Sequence, residues 1–187
     1  TTTTINSGFG SGIVVEGAGF LLNNEMDDFS GKPGVMNQFG LLGTEANSIR
    51  PEKRMLSSMT PTIILKDGEP YIIVGSPGGS TIITVVLQVI LNCIDFNMNI
   101  REAIEAPRVH HQWLPDTLYY EQRALTGEVK KELAAMGYAL ADKDAELLIL
   151  GIAEGIMIDN LRPGRDKRNK IIYGASDPRG GGLAVGY

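Results

Sequence analysis

Two short stretches carry residue types that could do chemistry. The first is Asn23-Asn24-Glu25-Met26-Asp27-Asp28, three carboxylates and two amides following an apolar run. Such a group can hold a cation, but the ligand spacing of a calcium loop is absent. What remains is an organic ammonium gripped between Glu25 and Asp28, or a plain solvated acidic turn. The second stretch is Gly75-Ser76-Pro77-Gly78-Gly79-Ser80. It lies between an expected strand and an expected helix, where backbone N–H groups collect and the helix dipole favours negative charge. No lysine follows its last glycine, as a phosphate loop would require, and Val74 breaks the G-x-S-x-G pattern of a nucleophile elbow. An oxyanion fits better. Gly78 and Gly79 have no side chain to block an approaching atom, so their amides could face a developing charge. A simple tight turn explains the same residues equally well.

Other candidates are weaker. Ser57-Ser58 could hydrogen-bond a carboxylate, although serines before a strand are more often turn residues. His110 and His111, the only histidines, are neighbours and would point to opposite sides of a strand, which suits a structural role better than a shared metal. Gly8-Phe9-Gly10-Ser11-Gly12 misplaces its third glycine for a dinucleotide loop and leads into a strand, not a helix. Cys93 sits in an apolar run and reads as a small buried hydrophobe; a single cysteine forms no internal disulfide.

The elements that must position these groups can be placed from pattern. Residues 1–5 are β-branched almost throughout and read as a strand. Residues 13–15 and 20–23 form a hairpin, and the glycine-rich stretch 27–43 a long binding or lid loop. Residues 62–65 and 71–74 flank Asp67-Gly68, the strongest hairpin signal in the chain. A buried helix is expected over 81–96, a second from Asn99 to Ala106, stopped by Pro107, and a third over 128–136 ending at Gly137. Strands are expected at 147–152, 156–158 and 170–173. Hairpins interspersed with helices predict an α+β layered fold and not a βαβ series.

At 187 residues the chain has the length of one domain, and its net charge of −5 leaves no basic excess to neutralise nucleic-acid phosphates. The basic run 162–170 reads as a solvated loop. No apolar stretch is long enough to span a bilayer.

In order along the chain, these stretches resemble the small subunit of the γ-glutamyltransferase (γ-glutamyl transpeptidase) family. The resemblance runs through Leu21-Leu22-Asn23-Asn24-Glu25-Met26-Asp27-Asp28-Phe29-Ser30 and Lys32-Pro33-Gly34. It continues in Leu56-Ser57-Ser58-Met59-Thr60-Pro61-Thr62, Gly75 to Ser80, Ala106-Pro107-Arg108, His111-Gln112-Trp113-Leu114-Pro115 and Tyr173-Gly174-Ala175-Ser176-Asp177-Pro178-Arg179. It weakens between 141 and 170.

The resemblance implies an α+β, αββα four-layer sandwich of the N-terminal-nucleophile hydrolase type, completed by a large subunit cut from the same precursor. A threonine freed by that cut attacks the γ-carbonyl of glutathione or a similar donor, with its own α-amino group as base. Water or an amino-acid or peptide amine then takes the acyl group. No cofactor or metal is implied, and the location implied is periplasmic or extracellular.

Carried over position by position, Gly78 and Gly79 form the oxyanion hole, and Thr4 bonds the nucleophile's hydroxyl. Asn6, Glu25 and Asp28 grip the donor's α-amino and carboxylate ends, and Ser57 and Ser58 its α-carboxylate. Phe39 falls in the lid where many bacterial relatives carry tyrosine, so a hydroxyl bond from the lid is impossible. Glu25 is glutamine in some relatives, and Met55 replaces a usual proline. The nucleophile lies upstream of the position matched by Thr4. Thr1 is therefore not expected to be it, and residues 1–187 read as one small-subunit domain beginning inside its second strand. The competing readings are a glutaryl- or cephalosporin-type acylase, which has no ammonium to hold, and an inactive processed remnant.

Overall fold

The computed structural model describes residues 4–142, 150–159 and 170–186. Thr1, most of the expected strand over 1–5, the first half of that over 147–152 and nearly all of the 162–170 loop lie outside the described residues. The described ends, 4–5 and 150–152, are not in strands. The chain packs as two compact units, Thr1–Met59 and Thr60–Tyr187.

The second unit is built on a hairpin, β1 (Thr62–Lys66) and β2 (Glu69–Gly75), paired Thr62 to Val74 with a bulge between Ile64 and Leu65. Asp67 and Gly68 both have positive φ, 54° and 80°. Two such residues twist the turn in the sense the strands need, which is why Asp-Gly marks it. β6 (Glu154–Asp159) and β7 (Ile171–Ser176) extend the sheet, antiparallel throughout, in the order β1-β2-β6-β7.

Two helices cover one face of this sheet. α1 (Ile82–Ile94) turns Val85, Val86, Val89 and Cys93 into the core. α2 (Ile100–Glu105) starts where expected because Asn99 and Glu102 form a reciprocal capping box, each side chain accepting the other's backbone N–H at 3.0 Å. Its Ile100, Ala103 and Ile104 are buried. Gly155 of β6 admits them: a Cβ there would lie 2.8 Å from Ile100 Cδ1.

A second sheet departs from expectation. β3 (Val109–His110), β4 (Thr117–Tyr120) and β5 (Ala139–Asp142) were not legible as strands, and β4 and β5 pair in parallel through α3 (Gly127–Ala135). This is one βαβ crossover, a connection parallel neighbours require. Thr126 caps α3, and Gly137, at φ 98°, follows its end.

Candidate active site

The first unit has little regular structure, so side chains and single backbone bonds set its geometry. The expected hairpin is present as antiparallel pairing around Val14 and Leu21, with Val15 N–H donating to the Phe20 carbonyl at 2.8 Å. Gly10 lies so close to the returning strand that a Cβ would sit 2.3 Å from the Leu22 carbonyl oxygen. Beyond it, Asn24 N–H reaches the Ile5 carbonyl at 3.2 Å and Asn24 Nδ2 reaches Ser7 Oγ at 2.9 Å. These bonds hold residues 4–7 beside the acidic turn. Within 4–7, Thr4 Oγ1 accepts from Asn6 N–H at 2.9 Å.

Glu25–Asp28 forms one 3-10 turn. At three residues per turn, positions i and i+3 eclipse, so Glu25 and Asp28 share one edge. Burial and the neighbouring Asp28 charge raise the Glu25 carboxyl above its usual range, while the Ser58 hydroxyl facing it pulls the other way. Asp27 points elsewhere, its Oδ2 accepting from Gln38 N–H at 3.1 Å.

Asp28 is only 7% exposed, yet its Oδ2 has no hydrogen-bond partner among the described residues. Asn6 Nδ2 and Asn24 Oδ1 share that condition, so three of the five such buried side-chain atoms belong to this cluster. Buried polar atoms are almost always paired, so a concentration of unpaired ones marks a place where something else binds.

Sequence reasoning missed Asn47. Its Nδ2 donates to the Asp28 carbonyl at 2.6 Å and its Oδ1 accepts from Leu56 N–H at 3.2 Å. One amide thus ties the acidic turn to the segment carrying Ser57 and Ser58. Ser57 is exposed, its Oγ 3.4 Å from the Met59 carbonyl. Phe39 is half-buried on a loop that Asn37 organises, Oδ1 accepting from Phe39 N–H and Leu41 N–H at 3.0 Å each.

In the second unit, Gly78 and Gly79 sit where β2 ends, and a 3-10 turn, Gly79–Thr81, leads straight into α1. Gly78 has φ 140°, and a Cβ on it would lie 2.5 Å from Thr81 Oγ1 and 3.0 Å from Gly151 Cα. No other residue fits there. Its carbonyl accepts from both Thr81 N–H (3.1 Å) and Thr81 Oγ1 (2.8 Å). Among the described residues, neither the Gly78 nor the Gly79 N–H donates to another group. Two free amides at a helix start are suited to receiving negative charge.

His110 is buried, whereas His111 pairs with Asp116 at 3.0 Å. Cys93 is buried, and burial pushes its thiol up to about 11. Among the described residues, no group of three His, Cys, Asp or Glu side chains could hold a metal ion, and no helix is long and apolar enough to cross a membrane.

The family model described as Gamma-glutamyltranspeptidase matches residues 1–187. The chain belongs to the gamma-glutamyltranspeptidase family. It is 50% identical over 186 residues to the glutathione hydrolase proenzyme of Pseudomonas aeruginosa, covering 98% of this chain and 31% of the relative. It is also 50% identical to that of Escherichia coli, covering 100% and 30%. It therefore spans about a third of the curated relatives' length. A crystal structure of a Helicobacter pylori gamma-glutamyltranspeptidase mutant superposes with a TM-score of 0.85 at 50% identity, covering 96% of this chain and 92% of that one. The cephalosporin acylase of Bacillus halodurans is more distant, 25% identical with a TM-score of 0.70, covering 94% and 29%. The expected α+β fold of the N-terminal-nucleophile hydrolases stands, and this member of the family contributes a helix layer packed on an antiparallel sheet to it.

Proposed function

We infer that the complete protein transfers a γ-glutamyl group from glutathione or a related donor to water or an amine, and that this chain holds the donor and stabilises the oxyanion. The observation that carries the reading is the Glu25–Asp28 edge with the unpartnered Asp28 Oδ2. A glutamyl head is a zwitterion. Its ammonium requires carboxylates, and its carboxylate requires neutral donors such as Asn6 Nδ2 and the hydroxyls of Ser57 and Ser58. The Gly78 and Gly79 amides are suited to the tetrahedral oxyanion formed when a threonine hydroxyl attacks the γ-carbonyl, and Thr4 to bonding that hydroxyl. The 50% identical glutathione hydrolases support the same donor class.

The nucleophile, in this reading, is a threonine upstream of Thr4, freed by cleavage of a precursor; relatives named as proenzymes support this. A large subunit from that precursor is the proposed partner. An exported location is proposed from the family resemblance, and fractionation of the native host cell tests it.

The test is release of nitroaniline from a γ-glutamyl anilide by the complete protein, compared with a glutaryl anilide that lacks the ammonium. Asp28→Ala should raise the γ-glutamyl KM about 30-fold or more, the loss expected when one partner of a buried charge pair is removed. Equal turnover of both anilides would favour the acylase reading, and an unchanged KM would remove Asp28 from the site.

A further inference from the structure

Ser80, on the 3-10 turn before α1, and Thr84, in the first turn of α1, are tied to β3 and the segment just after it through the side chains of His110 and Gln112. Ser80 Oγ, directly after the Gly78–Gly79 pair, donates to Gln112 Oε1 at 2.5 Å. The carboxamide's orientation is set from its other end, where Nε2 donates to the Leu114 carbonyl at 3.0 Å. That leaves Oε1 as the acceptor for Ser80, and His110 Nε2 lies 2.9 Å from the same oxygen. A carbonyl oxygen has no proton to give, so His110 must carry its hydrogen on Nε2. Its Nδ1 lies 2.8 Å from Thr84 Oγ1. His110 is buried and stacked against Tyr119, so the relay has little freedom to move.

We propose that Gln112 is a positioning residue of the oxyanion hole, holding the Gly78–Gly79 amides in register through Ser80, with His110 and Thr84 fixing the far end of the relay. This rests on the reading of Gly78 and Gly79 as oxyanion donors. Such donors work because they are already aimed when charge develops, and a loss of alignment on the order of 0.5 Å weakens them. The glycine pair needs outside support, since a segment with positive φ at both Gly78 and Gly79 has no side chains of its own to lock it. Ser80 is the first residue after the pair that can be gripped, and Gln112 grips it. The effect belongs to the transition state. The donor-holding residues lie on other segments, so kcat should change without KM.

The test uses the complete two-chain protein and a γ-glutamyl anilide. Gln112→Leu and Ser80→Ala should each lower kcat about 10-fold, less than the roughly 100-fold or greater loss from deleting an oxyanion donor outright. Donor KM should stay within about twofold, and Ser80→Thr, which keeps the hydroxyl, should retain most of the rate. Ser80→Ala removes one hydrogen bond only and guards against a Gln112→Leu variant that misfolds. Wild-type kcat in Ser80→Ala, or a matched loss in kcat and KM that Ser80→Thr does not relieve, would overturn the proposal while leaving the γ-glutamyl reading intact. A wild-type protein inactive on every γ-glutamyl donor would overturn both.

Discussion

Glu25 and Asp28 are like charges on one edge of a short turn, an arrangement that burdens the fold unless a cation lies between them. Because Glu25 binds its proton more tightly folded than unfolded, its contribution favours the folded state below the ordinary value of 4.5. That contribution is lost as pH climbs through the raised folded value, and above it the ionised pair destabilises. Glu25→Gln should therefore raise Tm at pH 8, leave it nearly unchanged near pH 4, and raise the donor KM at both neutral and alkaline pH. Melting curves at the two pH values with parallel kinetics check this, and equal Tm at pH 8 would refute it. At this scale the sequence was informative where residue types are costly to place: clustered carboxylates and paired glycines before a helix. It was silent on Asn47, whose role exists only because two loops meet at its amide. Nor could it show that Asp27, next to the site in sequence, faces away to cap Gln38.

Elements with local signals were legible, and those held by tertiary pairing were not. Asp67-Gly68 announced the hairpin of β1 and β2, and Asn99 the start of α2, because each satisfies its own backbone. β5, Ala139–Asp142, has poor strand formers and exists through its parallel pairing with β4. The junction between α2 and β3 shows what sequence distance hides. Arg108 and Asp177, 2% and 0% exposed at their side chains, form an ion pair in the second unit. Arg108 also donates to the carbonyls of Ile104, Leu150 and Gly151, and Asp177 accepts from the Ala153 N–H. Gly151 in turn backs Gly78, so Arg108 fixes the floor beneath the glycine segment. Arg108→Met should cost about 3–5 kcal/mol, since it removes the fully buried charge partner of Asp177 and the donor to the Leu150 and Gly151 carbonyls. Denaturant unfolding measures the loss. A change below about 1 kcal/mol would mean that the bonds Asp177 already accepts from Arg179 and from the Ala153 N–H suffice to hold it.

The second unit carries apolar surface on both of its broad faces. On the sheet face away from the helices, cross-strand pairing lines up Ile63, Ile73 and Ile156, with Ile158 beside Ile172 in the next row. Ile63 is 64% exposed and Ile172 66%. On the outer side of α1, Ile83, Leu87, Leu91 and Ile94 recur at helical spacing, Ile83 being 66% exposed. A helix apolar on both its inner and outer sides and a sheet apolar on both sides belong inside a larger core, and contiguous exposed patches of this kind mark interaction surfaces. In an αββα sandwich, the sheet face would meet a second sheet. Under the proposed function, the large subunit is the source of that layer. Ile63→Lys combined with Ile172→Lys places two charges on this face at positions that do not touch the helix-side core. The pair should leave the chain's own helix and strand content unchanged by circular dichroism while weakening its recovery with the large subunit by about tenfold or more, as expected when unpaired charges must be buried. Undiminished recovery of the two subunits would place the interface elsewhere, with the outer stripe of α1 the next surface to charge.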